Sequence, residues 1–345
     1  MKGAPLVNVK NLFKIRELSS LSFVVILFLF VGVFNPGFLS RDNILLILND
    51  SVVFTMLAVG TSFVIITGEI DVSIGAVTGL CAAVAGSLIR DGMAWTPAFA
   101  FTLFLGLVCG LVNGLGFMYL KIPSIIITLG TSGIIRGIIY VYTNGRWVED
   151  MPTAFKDLSR VSFLGISVFY WIALIIAAAG SFIMTRTRQG RYFAAIGDNI
   201  TCATFLGIPV RFTKMLAFAL GALFAGAGGI MFASRVGFVA PIAGTGYEMR
   251  AIAACVLGGV SLSGGVGSLA GASMGAIIIA SIRPILVFLN FTADDDMITG
   301  IILITIIVVD ALLQHRTVEK ARRQRLLAKT RNSAVSGGVE NEKTA

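Results

Sequence analysis

The chain has 345 residues, of which 56% are apolar and only 13% are charged, and its mean hydropathy is +0.91. Average soluble domains carry about 25% charged residues, so this composition excludes a soluble fold and indicates helices that bury their apolar surface in lipid. The net charge of +9 does not indicate nucleic-acid binding, because the basic residues are distributed according to the two sides of the membrane. One histidine and four scattered cysteines exclude chemistry built on His or Cys clusters, and we expect no catalysis, no cofactor and no metal.

Apolar runs of about 20 residues predict transmembrane helices. The first run passes into Asn35-Pro36 without a small-residue cleavage site, so we interpret it as a span and not as a signal peptide. The third and eighth runs are short. We predict an all-α, polytopic membrane helix bundle over residues 18–315, between an N-terminal segment (1–17) and a basic tail (316–345). The ten runs are 18–34, 43–67, 73–89, 95–119, 123–143, 164–184, 212–233, 247–262, 267–289 and 297–314.

The distribution of basic residues orients these spans. With the N-terminus in the cytoplasm, 18 of the 27 Lys and Arg residues fall in cytoplasmic segments. The opposite orientation inverts this bias and violates the positive-inside rule. We therefore expect an inner-membrane protein with both termini in the cytoplasm and a tail near anionic lipid. The long external connection, 144–163, has room for a short interfacial helix.

The first polar break in the apolar pattern is Thr67–Gly75, which carries Glu69 and Asp71. Carboxylates at membrane depth are costly and mark functional sites. At a membrane face they would simply be hydrated. A structural or gating role, a hydrated turn and direct contact with a solute all remain open for these two residues.

The second break is the glycine-rich stretch Leu257–Ser268, which includes Gly258 and Gly259. It contains no lysine and follows no strand, so it is not a phosphate-binding loop. Like the first break, it precedes a span rich in Gly and Ala. Paired breaks of this kind suggest an internal duplication of five helices each, although the two halves match only weakly in sequence.

The longest internal connection, 186–211, predicts a short amphipathic helix over Ile200–Leu206. Asp198 or Asn199 is a suitable N-cap and Gly207 a suitable stop. A short helix held between two spans can dock on another protein and pass on a rigid-body movement. A solvated loop is the alternative.

Polar side chains within the spans are candidates for lining a pathway for a neutral polyol. Hydrogen bonds between helices explain the same residues equally well. The candidates are Asn113, Thr128, Thr131 and Ser132, with Asn144 at the outer mouth.

Four motifs in this order resemble the permeases of ribose-type ABC importers over about residues 20–315. They are Gly68-x-Ile70-Asp71-Val72-Ser73-Ile74-Gly75, Lys121-Ile122-Pro123 with Thr128-Leu129-Gly130-Thr131, Gly190-Arg191-x-x-x-Ala195-Ile196-Gly197-Asp198-Asn199, and Leu257-Gly258-Gly259 with Gly264-Gly265-x-Gly267-Ser268. Glu69 stands where the family commonly has a glycine. Within the family, Thr143–Trp147 and Gly244–Gly259 are most similar to the autoinducer-2 (Lsr-type) branch. Rhamnose- and ribose-type permeases share much of this sequence.

The resemblance implies a transport subunit whose ATPase is a separate chain, and the sequence contains no GxxxxGK[ST] motif. It also implies a periplasmic solute-binding protein and a second permease subunit, either a sister chain or a second copy. An ion-coupled transporter is the alternative, with Asp50, Arg136 and Arg283 as its intramembrane charges. The residues expected to couple to the ATPase are Gly190, Gly197, Asp198, Asn199, Ala203, Phe205 and Gly207.

Overall fold

A computed structural model describes residues 16–290 and, beyond them, residues 297, 298, 300, 301, 304, 305 and 308. Contacts divide the chain into residues 1–300 and residues 301–345, and the described residues of the second unit, Ile301, Ile304, Thr305 and Val308, are helical. The basic tail and most of the predicted N-terminal segment and tenth span lie outside the described residues.

The described chain is mostly helical. The α-helices are α1 (Arg16–Phe34), α2 (Arg41–Ile66), α3 (Ile74–Arg90), α4 (Trp95–Leu120), α5 (Ser124–Thr143), α6 (Thr153–Leu158), α7 (Val168–Arg186), α8 (Arg188–Asp198), α9 (Ile200–Phe205), α10 (Val210–Val236), α11 (Tyr247–Leu257) and α12 (Leu269–Phe288). A 3-10 turn at Pro36–Leu39 separates α1 from α2, and β1 (Ser162–Phe163) pairs with β2 (Ile166–Ser167) in a short antiparallel hairpin. Apart from this hairpin, the helical prediction is confirmed. Helix α6 occupies the connection in which a short helix was predicted.

Within the part of the chain that the structure describes, six helices are long and apolar enough to cross a membrane: α2, α4, α5, α7, α10 and α12. Helices α1 and α3 contribute shorter apolar segments. The predicted span 247–262 is wrong in extent, because α11 ends at Leu257 and a turn follows at Gly258. Eleven residues at about 1.5 Å each span roughly 16 Å, about half of a hydrocarbon core of about 30 Å.

Helix α10 lies at the centre of the described helices and packs against α2, α3 and α4. Glycines make these crossings close. A Cβ atom on Gly60 of α2 would lie 2.8 Å from the carbonyl oxygen of Gly221, and one on Gly110 of α4 would lie 2.3 Å from that of Phe218. Small residues let helix backbones approach in this way, which explains the abundance of glycine in the chain.

The helix ends gather on two faces. The face that we call the lower face holds the end of α2, the segment 186–209 and the turn 258–268, since Gly265 N–H donates to the Ile66 carbonyl at 2.9 Å. The upper face holds the connection 144–167 and the end of α10. There, Val148 pairs with Val239 and Ser234 Oγ donates to the Phe155 carbonyl at 2.7 Å.

Candidate coupling and gating site

The break between α2 and α3 is an extended segment that returns into the bundle along α5. Gly68 adopts φ +81°, which turns the chain at the end of α2. Ile70 N–H then donates to Ser124 Oγ at 3.3 Å, and Val72 N–H donates to Thr128 Oγ1 at 3.1 Å. Two hydroxyls one helical turn apart thus supply partners for backbone amides that have none within a helix.

The side chain of Asp71 is buried and holds the start of α3. Its Oδ1 accepts hydrogen bonds from Ser73 N–H at 2.8 Å and from Ser73 Oγ at 2.6 Å, and Asn113 Nδ2 donates to Ser73 Oγ at 2.7 Å. Asn113 lies seven residues before the end of α4 at Leu120, which places this cluster about 10 Å inside the bundle. With 1% of its surface exposed, Asp71 is not the hydrated turn residue that the sequence left open.

Glu69, in the same break, forms an ion pair with Lys214 in the first turn of α10. Lys214 Nζ lies 2.5 Å from Glu69 Oε1, and the two side chains are only 10% and 14% exposed, respectively. The ammonium group also lies 5.3 Å from the ring centroid of Phe117 on α4. The pair therefore connects the break directly to the helix that follows the segment 186–209.

That segment contains two helices, α8 and α9, where the sequence predicted one. Asn199, not Asp198, is the N-cap of α9, because its Oδ1 accepts from Cys202 N–H at 2.9 Å, whereas Asp198 is the last residue of α8. Ala203 is buried, and Gly207 ends the turn after α9 at φ +72°. Gly190 lets α8 approach α7, since a Cβ there would lie 2.2 Å from the Ile183 carbonyl oxygen.

Helix α9 presents an exposed apolar patch, which we call the α9 patch. It consists of Phe205, which is 88% exposed, and Leu206, which is 78% exposed. Large apolar side chains this exposed at the end of a bundle mark an interaction surface.

The end of α8, the end of α2 and the turn 258–268 meet at four glycines, which we call the glycine junction: Gly68, Gly197, Gly264 and Gly265. A Cβ atom on Gly197 would lie 2.0 Å from the Ile66 carbonyl oxygen and 2.3 Å from Gly265 N, and one on Gly264 would lie 2.8 Å from Gly68 Cα. The segment 186–209 thus closely approaches both sequence-predicted breaks at this junction, mainly through backbone atoms.

Gly258 belongs to the same turn but makes a separate contact. A Cβ atom on Gly258 would lie 2.4 Å from Ala272 Cα, so this glycine permits the close packing of α11 on α12. Gly259 adopts φ +82°, which reverses the chain after α11.

A further break, 237–246, was missed by the sequence analysis. It precedes the short helix α11 as the segment 67–73 precedes α3, and it carries Gly237, Gly244 and Gly246 at positive φ. Its end packs on the start of α3, since a Cβ on Gly75 would lie 2.4 Å from the Gly244 carbonyl oxygen and 2.0 Å from Glu248 Oε2. The glycines and Pro241 were the available signal. The start of α3 thus lies against 237–246, whereas the stretch 257–268, the expected counterpart of the first break, meets that break at Gly68.

The remaining predicted residues are more dispersed. Thr131 Oγ1 donates to the Thr128 carbonyl at 3.1 Å on α5, and Asn144 is exposed at the upper end of that helix with φ +52°. Arg136 Nη1 donates to the Ala243 carbonyl at 3.1 Å. Asp50, a charge expected of an ion-coupled transporter, is paired with Arg235.

Comparison with known proteins identifies the class to which this arrangement belongs. Residues 43–307 match the family described as "Branched-chain amino acid transport system / permease component". The chain belongs to this family and is a membrane-spanning permease, a transport subunit of an ABC importer. The resemblance inferred from the motifs is confirmed.

Its relatives are more specific. The autoinducer 2 import system permease protein LsrC of Salmonella typhimurium is 40% identical over 311 residues, which cover 90% of each chain. The protein of the same name from Escherichia coli (strain K12 / DH10B) is 40% identical over 311 residues, covering 90% of this chain and 91% of the relative. That from Klebsiella pneumoniae is 41% identical over 323 residues, covering 93% of each. No solved structure matches the chain.

Proposed function

We propose that this chain forms the translocation pathway of an ABC importer for autoinducer-2. The ATPase is a separate subunit, a periplasmic binding protein delivers the solute, and the pathway is completed by a second permease subunit, either a sister chain or a second copy. Identity of 40% over nine-tenths of both chains to permeases named for autoinducer-2 import supports the solute. A rhamnose- or ribose-type monosaccharide is the alternative solute.

The observation that carries the mechanism is the glycine junction. The ATPase binds the α9 patch, and its movement reaches both breaks through the backbone contacts of Gly197 with Ile66 and Gly265. Asp71, Asn113 and Thr128 act by holding the first break in register, since their polar atoms bond to that break. Interfaces and packed elements switch between discrete arrangements, so a shift of α8 opens or closes the pathway near α3.

In this proposal the lower face is cytoplasmic. Its segments carry six basic residues, Lys121, Arg186, Arg188, Arg191, Arg211 and Lys214, and the two termini add twelve more, which together give the excess over the external side that the positive-inside rule expects. Ten crossings with a five-plus-five duplication complete the topology, in which the break 237–246 and α11 together form the eighth crossing. The duplication is supported by the two short helices α3 and α11, each of which begins at a break and packs against the other's N-terminal end.

Uptake into proteoliposomes tests this function. The permease pair, ATPase and binding protein are reconstituted with ATP inside or outside, and autoinducer-2 uptake is measured with ribose and rhamnose as competitors. We expect uptake that requires ATP on the cytoplasmic side and the binding protein, and that survives proton and sodium ionophores. Uptake that needs no ATP and stops with an ionophore would establish ion coupling instead. ATP-driven uptake of ribose or rhamnose alone would keep the importer and change its solute.

A further inference from the structure

A cavity of about 400 Å³ opens on the lower face between the α4–α5 turn and the start of α10. One wall is formed by Phe117, Lys121 and Ile122, and the other by Ile200, Arg211 and Lys214. The cavity therefore joins two parts of the chain that are distant in sequence, the turn before α5 and the segment that carries the α9 patch.

The cationic groups of this cavity are unequal. Lys214 is neutralised by Glu69. Lys121 and Arg211 are exposed, and among the described residues no carboxylate lies within ion-pair distance of either. Two cationic groups therefore face the same cavity with their charge uncompensated by the described chain, which favours an anionic ligand.

The backbone at Lys121 adds an independent observation. Lys121 ends α4 in the left-handed region at φ 56°, where glycine or asparagine is usual because a side chain is disfavoured. The turn after α4 places Lys121 in the lining of the cavity.

The remainder of the cavity is apolar. Phe117, Ile122 and Ile200 line it together with the two cations, and it lies at the ends of the helices α4, α5 and α10, which are long enough to span a membrane. A cavity that combines two cations with apolar side chains at this place matches a molecule with a phosphate head and a hydrocarbon part. Basic pockets between helices at a membrane face bind anionic lipid headgroups.

We propose that this cavity binds a phosphate group, and that the phosphate belongs to an anionic phospholipid of the surrounding membrane. The phosphate lies between Lys121 and Arg211, and the first part of an acyl chain contacts Phe117 and Ile200. The bound lipid bridges the α4–α5 turn and the coupling segment, and so stabilises the position of α9. This site rests on the cavity and its charges, and not on which solute is transported.

Lipid retention by the purified full-length chain tests the proposal. The chain is delipidated in neutral detergent and then supplied with phosphatidylglycerol or with phosphatidylcholine of the same acyl chains. Bound lipid is counted by native mass spectrometry, and the unfolding temperature is recorded in parallel. A third arm adds inorganic phosphate at matched ionic strength, which separates a lipid phosphate from a soluble one.

The variants are Lys121→Gln, Arg211→Gln and the double variant, with Arg146→Gln on the upper face as the matched control. A basic residue near anionic lipid contributes about five-fold to binding. We expect each single variant to lower phosphatidylglycerol retention about five-fold, the double variant to lower it further, and the control to match the wild type. The single variants keep the test valid if the double variant does not fold.

Three outcomes of this experiment decide which ligand, if any, the cavity binds. Preferential phosphatidylglycerol binding that the variants remove supports the lipid site. Stabilisation by inorganic phosphate, lost in the same variants, supports the phosphate site and assigns its ligand to a soluble phosphate ester. Equal retention of phosphatidylglycerol by the wild type and by both single variants overturns the proposal.

Discussion

Removing one charge of the Glu69–Lys214 pair is expected to destabilise the protein strongly. Lys214→Met leaves the Glu69 carboxylate in a site where its side chain is only 14% exposed. Breaking a buried ion pair by removing one partner costs about 3–5 kcal/mol, and the residual exposure of both groups favours the lower end. For a chain of 345 residues, a loss of about 3 kcal/mol corresponds to a fall in unfolding temperature of about 4 °C.

A double-mutant cycle separates the pair from its neighbours. Glu69→Gln, Lys214→Met and the double variant are purified in detergent, and unfolding is followed by tryptophan fluorescence. The double variant should be more stable than the sum of the two single losses predicts, because it leaves no unpaired charge. Asp91→Asn, which removes the exposed pair with Arg90, is the control and should unfold with the wild type. Single variants that unfold at the wild-type temperature, or losses that simply add, would refute the reasoning.

The remaining predictions concern coupling and the first break. Phe205→Asp places a charge in the α9 patch and should abolish co-purification of the ATPase. The control, Leu164→Asp on the exposed upper hairpin, should leave co-purification unchanged. Equal recovery of the ATPase with both variants would show that α9 is not part of the interface. Gly264→Ala brings a Cβ within 2.8 Å of Gly68 and should lower solute-stimulated ATP hydrolysis while the ATPase stays bound, and normal stimulation would contradict transmission through the junction. Asn199→Ala should destabilise α9 by about 1 kcal/mol, seen as faster amide exchange over 200–205, and unchanged exchange would deny the cap. Asp71→Ala should slow transport with normal assembly, and full transport would limit Asp71 to packing.

Much of the helical pattern could be predicted from the sequence because its signals are local. The apolar runs placed α2, α4, α5, α10 and α12 within a few residues of their observed bounds. Asn199 and Gly207 were recognisable by their cap and stop chemistry. The polar break at 67–75 was visible because carboxylates are rare within apolar runs.

Long-range pairings could not be predicted. Glu69 and Lys214 are separated by 145 positions, and in the sequence Lys214 is only one of the 18 basic residues assigned to the cytoplasmic segments. The link between Ile70, Val72 and the hydroxyls of α5 depends on how an irregular segment folds back along a helix, which no periodicity encodes. The break 237–246 was missed because it lies between the predicted runs 212–233 and 247–262, where its glycines are typical of an ordinary external connection.

The glycine junction and the α9 patch assign two tasks, transmission of movement and recognition of the ATPase, to different residues. In the proposed mechanism, the ATPase is recognised by the side chains of the α9 patch, whereas its movement reaches the two breaks through the close contacts at the glycine junction. The four glycines have no side-chain torsions that could absorb a small displacement. Under this mechanism, the residues of the α9 patch can change to fit a different ATPase while the close backbone packing at the glycine junction is kept.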